Sequence, residues 1–132
     1  SIFQGLTHAA LETLPRVQLL QLHGFADRSL AECTNAEVVV SPGAAPAGGG
    51  EAAEVAGRLG ALLGTDRVLL HPRDTQRLGG RTNVQGRAVA TTGDATFLHI
   101  EMSRTLRNRL LRDPGLRRAF IAAVLGLRKE SP

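Results

Sequence analysis

The chain has 132 residues, of which 42% are hydrophobic and 21% charged, usage that fits one globular unit and excludes both a disordered polymer and a fibrous repeat. The net charge of +4 and pI near 10.9 do not amount to a nucleic-acid footprint. Every basic residue except Lys129 is Arg, there is no Tyr or Trp to stack on bases, and no nucleic-acid module interleaves with the arginines.

Cys33 is the single cysteine, so no intramolecular disulfide forms and a reducing compartment is expected. No apolar run approaches the roughly 20 residues that cross a bilayer, and no basic-then-apolar leader is present. The expectation is a cytoplasmic protein with no membrane association.

In chain order, Ile2, Phe3, Leu6, Ala9, Ala10 and Leu14 recur at helical spacing and Pro15 ends that helix. Residues 16–25, with Val17, Leu19, Leu20 and Leu22, read as a buried strand closed by His23-Gly24. Residues 37–41 contain the β-branched run Val38, Val39 and Val40 and form a second strand. A Pro/Gly/Ala loop follows. Ala52, Val55, Ala56, Leu59, Leu62 and Leu63 then line one face of a helix over 51–63, with Gly64 expected as a left-handed cap.

Residues 67–71 supply a third strand, broken by Pro72, and a polar, Gly-rich stretch runs to Gly93. Residues 97–102 form a fourth strand, which passes through Ser103, an N-cap residue, into a helix. Asp113-Pro114 starts the last helix, expected to bury Leu116, Phe120, Ile121, Ala123, Val124 and Leu127, and residues 129–132 are expected to fray. Short apolar strands alternating with helices predict an α/β fold, a mostly parallel sheet of about four strands covered by helices, as a single domain over 1–132. In such sheets the carboxyl ends of strands are where ligands bind.

Four features have chemical potential. The glycines between Gly43 and Glu54 match neither phosphate-binding pattern and read as a plain loop. His23, at a strand end, can ligate a metal, although the two further protein ligands of a catalytic zinc site are not evident. Glu101 ends an otherwise apolar strand; its carboxylate is either ion-paired with Arg104 or Arg107, or is a general base whose pKa burial raises. His99 shares its strand face and either orients it or packs beside it. The segment 81–87 offers Arg81, Asn83 and Arg87 for a substrate carboxylate and amide, against the alternative of a solvated loop. Arg104, Arg107, Arg109 and Arg112 read as a hydrated helix face.

The segments Gln21-Leu22-His23-Gly24-Phe25 and Phe97-Leu98-His99-Ile100-Glu101-Met102-Ser103-Arg104 resemble the second half of the zinc carboxypeptidase-like amidohydrolases, particularly the N-formylglutamate amidohydrolase and poly-γ-glutamate hydrolase branches. The resemblance spans about 16–112 and implies a phosphorylase/hydrolase-like α/β fold. It implies that His23 is the last zinc ligand and that Glu101 activates the zinc-bound water. It also implies a small acidic substrate, an N-acyl amino acid or glutamyl peptide, held by Arg81 or Arg87. One departure stands out. The family's upstream His-x-x-Glu motif is absent, His8 and Glu12 being four residues apart in the first helix. The zinc site is therefore expected to be incomplete, in a C-terminal part of a longer hydrolase or in a relative without the metal. Partners on this reading are a missing N-terminal part or further copies in a homo-oligomer. The rival expectation is a non-enzymatic α/β binding module whose Arg-rich surface meets an acidic partner.

Overall fold

The computed structural model describes residues 1–26, 30, 35–44, 50–91 and 95–127. Cys33, part of the glycine loop and residues 128–132 lie outside them. Helix α1 (Ile2–Thr13) leads to strand β1 (Val17–Phe25), followed by β2 (Val38–Ser41), helix α2 (Gly50–Leu63) and, after a short 3-10 turn, β3 (Val68–Leu70). Helix α3 (Val84–Ala90), strand β4 (Ala95–Ser103), helix α4 (Arg104–Arg112) and helix α5 (Pro114–Leu125) complete the chain. Among the described residues no helix is long and apolar enough to cross a membrane.

The four strands form one sheet in the order β1-β4-β2-β3. β1 pairs parallel with β4 and β2 parallel with β3, whereas β2 and β4 run antiparallel. The fold is thus α/β with a mostly parallel, mixed sheet. The antiparallel step separates the strand ends: β1 and β4 finish at one end of the sheet, β2 and β3 at the other.

The two-residue period of the strands divides the sheet into two unlike faces. On one, Leu20, Val38, Val40, Leu98, Ile100 and Met102 pack against Ala52, Val55 and Leu59 of α2, Leu106 of α4, and Phe120 and Val124 of α5. Removing such side chains from water contributes about 1.5–3 kcal/mol each, so this face dominates stability. The other face carries Phe25 and Val39 with Leu30 and Leu78 against them, alongside the polar Gln21, His23, His99 and Glu101.

Several local expectations change. Ile121 and Leu127 are exposed, so α5 buries a narrower stripe than its apolar residues suggest. Gly64 has positive φ (112°) but an extended ψ (136°): it turns the chain into the 3-10 segment and is not a left-handed cap. Helix α1 is oriented against its composition, with Thr7 buried and Ile2, Phe3, Leu6 and Leu14 facing outward. Arg109 is exposed but not merely hydrated: it donates twice to the buried Glu37 carboxylate (2.9 and 3.0 Å), which also pairs with Arg67 at 3.2 Å.

Candidate metal centre

β4 is central in the sheet and buried over its last seven residues. Its alternation sends Leu98, Ile100 and Met102 into the helical core and leaves Phe97, His99 and Glu101 on the opposite face. β1 lies in parallel register beside it, Gln21 opposite His99 and His23 opposite Glu101. His23 and Glu101, singled out separately from the sequence, are therefore neighbours on one face.

His99 joins them. Its ring centroid lies 4.8 Å from that of His23, its Nε2 lies 3.7 Å from Glu101 Oε1, and one ligand atom from each of the three residues falls within 4.8 Å of the others. His99 and Glu101 are 3% and 9% exposed, whereas His23 is exposed, so the group opens at β1. The spacing His-x-Glu within a strand was the available signal for His99. It places both groups on one face, but by itself does not distinguish a ligand from a packing neighbour.

The electrostatics follow from burial. Desolvation lowers the His99 pKa to about 4, with His23 adding to the effect and the Leu78 backbone opposing it. Glu101 is pushed above the ordinary carboxylate range by desolvation, against smaller opposing pulls from His23 and Arg107. At 3.7 Å from a ring held neutral, Glu101 has no salt bridge with His99. Among the described residues its carboxylate also takes no hydrogen bond from Arg107. That guanidinium lies over Gly24, where a β-carbon would collide with it, and its Nε donates to the Ser103 carbonyl at 3.4 Å.

Behind His99 is a seat for its ring. Gly80, at φ +59°, lies so close that a β-carbon there would approach the His99 Cγ to 2.8 Å, and Gly79 packs as closely on His71. Ser41 ties this segment to β2 by donating to the Gly79 carbonyl at 2.6 Å and accepting from the Gly43 N–H at 2.9 Å. Among the described residues, His71 Nε2 and His99 Nδ1 are buried without a hydrogen-bond partner. Burial and Arg81, in that order, lower the His71 pKa.

The segment 81–87 is not a solvated loop: α3 begins within it. Asn83 caps that helix, its Oδ1 accepting from the Gln85 and Gly86 N–H groups at 3.0 and 3.1 Å, and its Nδ2 donates to Gln21 Oε1 at 2.6 Å. It couples the helix to the strand residue opposite His99 and retains one amide N–H. Arg81 and Arg87 are exposed. His8 and Glu12 are likewise exposed on α1.

Two imidazoles suit zinc as ligands, and the carboxylate beside them is placed to act on a water that the metal holds. Tetrahedral ligands with bonds of about 2.0–2.1 Å stand about 3.3–3.4 Å apart; His23, on the open side, comes within that reach of His99 by a side-chain adjustment, and Glu101 Oε1, 3.7 Å from His99 Nε2, stands beside the pair. A neutral His99 is also the protonation state that ligation needs. Comparison with protein-family models, with curated proteins and with solved structures finds no match for this chain.

Proposed function

We propose that this chain is a metal-dependent hydrolase of an amide or peptide bond in a small acidic substrate, an N-acyl amino acid or a glutamyl peptide, of the zinc carboxypeptidase-like amidohydrolase kind. The observation that carries the reading is the convergence of His23, His99 and Glu101 on one open face. His23 and His99 hold the metal. Bound there, zinc supplies Lewis acidity and lowers the pKa of a water toward about 7.

Glu101 has the attributes of a general base and acid: burial raises its pKa toward the working range, and no guanidinium among the described residues ties up its oxygens. It takes a proton from the attacking water as the water oxygen bonds to the amide carbon. It returns that proton to the amine as the C–N bond breaks. Arg81 or Arg87 takes the substrate carboxylate in a bidentate fork, and the spare Asn83 N–H meets an amide oxygen.

The test is metal analysis of the purified chain with turnover of N-acyl-glutamate and glutamyl-peptide substrates. One zinc per chain is expected, with Glu101→Gln reducing kcat by about 10²–10⁴-fold. Zinc-free protein whose turnover survives the substitution defeats the mechanism.

A further inference from the structure

β1 is an edge strand, hydrogen-bonded to β4 on one side and to no described strand on the other. Its nine residues, Val17–Phe25, contain no Asp, Glu, Lys, Arg or Pro. Free edges present a row of unpaired N–H and C=O groups, and natural sheets guard them with charge, proline, bulges or brevity. The opposite edge, β3, is three residues long; β1 has none of these guards. Leu22 stands 54% exposed in it. Only three residues separate β1 from α1, whose Ile2, Phe3 and Leu6 are 85%, 54% and 65% exposed. Exposed apolar side chains on the helix that leads into an unguarded edge strand are the kind of surface that association covers.

We infer that β1 is the contact surface of a two-fold dimer, in which a second copy of this chain pairs antiparallel along Val17–Phe25. The strand is complementary to itself. The register that uses all nine residues centres on Gln21, facing its own copy. It sets Leu20 against the partner's Leu22 on the helical face. On the other face it sets Val17 against the partner's Phe25 and His23 against the partner's Leu19. Directly opposed antiparallel residues lie about 4.5–5.5 Å apart on the same side of the sheet, so the Leu22 of each copy is covered by the Leu20 of the other. A two-fold axis perpendicular to the sheet keeps both His23-bearing faces on one side. The four strands of each copy join in a single sheet, and the partner's Leu19 walls the open side of His23. The pairing does not depend on the hydrolytic reading.

Sedimentation equilibrium of the 132-residue chain at micromolar concentration tests this directly. The expected mass is twice 14.0 kDa, and Leu22→Lys, at a position already exposed, is expected to return the chain to monomer with an unchanged circular dichroism spectrum. A wild-type monomer, or a dimer that survives Leu22→Lys, overturns the proposal. Amide exchange in the wild type gives a second reading that needs no variant. The β1 N–H groups directed away from β4 should exchange slowly when concentrated and quickly on dilution, and exchange independent of concentration overturns it. A dimer abolished by Phe3→Glu and Leu6→Glu but indifferent to Leu22→Lys would place the contact on α1 alone and likewise reject strand pairing.

Discussion

Burying the His99 imidazole beside His23 holds its pKa near 4, so below its ordinary value of 6.5 the proton belongs to the unfolded chain. The folded pKa is the depressed one; the stability it confers is fully present above pH 6.5 and is lost as pH falls toward 4. The gap between the two values corresponds to roughly 3 kcal/mol. Glu101 acts with the opposite sign: its raised pKa makes its contribution present below its ordinary value of 4.5 and lost as pH rises through the folded value. Comparing wild type with His99→Gln in metal-free protein separates the two, because Glu101 is common to both. Urea unfolding between pH 7 and pH 4 should show wild type losing up to about 3 kcal/mol more than the variant. Equal losses would mean that the ring titrates normally.

Among the elements, β4 and α4 meet at a buried ionic cluster built from distant parts of the chain. Glu37, just before β2, is 5% exposed and is held by Arg67 ahead of β3 and by Arg109 of α4. Its backbone also accepts from the Ser103 N–H at 2.8 Å. Glu37→Gln removes the charge that both guanidiniums face. Because those guanidiniums are 45% and 44% exposed, water recovers part of the loss, and the expected destabilisation is about 1–3 kcal/mol by denaturant unfolding, below the full cost of a stranded buried charge. An unchanged midpoint would show the cluster to be energetically neutral.

This cluster also marks where sequence reading stops. The four strands were legible because each is a short apolar or β-branched run between Pro, Gly or Asn signals, and α2 because its apolar stripe keeps a helical period over 14 residues. Helix α3 was not: seven residues containing Gly86 and only Val84, Ala88, Val89 and Ala90 as apolar positions carry little periodicity. Its N-cap Asn83 lies among groups that look equally suited to substrate. His23 and Glu101 were found because a polar residue ending an apolar strand requires explanation. Their meeting with His99, and the pairing of Glu37 with Arg109 across 72 residues, depend on strand order and register, which no local pattern encodes.

For the whole molecule, ligand binding at the polar face must appear as stability, since a metal that binds only the folded chain stabilises it by mass action. At zinc concentrations a hundredfold above the dissociation constant the gain is about 2.7 kcal/mol, which for a chain of this size raises Tm by roughly 10 °C. Differential scanning calorimetry should show this shift in wild type and lose it in His23→Ala, whose exposed site leaves the core untouched. A wild-type Tm indifferent to zinc would remove the metal centre and the hydrolytic reading with it, while leaving the strand-edge contact to be judged separately.

Ser103 gives this architecture a mechanical character. It is the last residue of β4 and the N-cap of α4, its hydroxyl accepting from the Leu106 N–H at 3.0 Å. With no loop residue between strand and helix, Glu101 on one side of the sheet and Leu106 in the core on the other are joined through one capped corner residue. A displacement of α4 therefore reaches the carboxylate through two residues of β4 and not through a loop. The packing of α4, whose Arg107 also pulls on the carboxylate, thereby bears on how Glu101 is aimed.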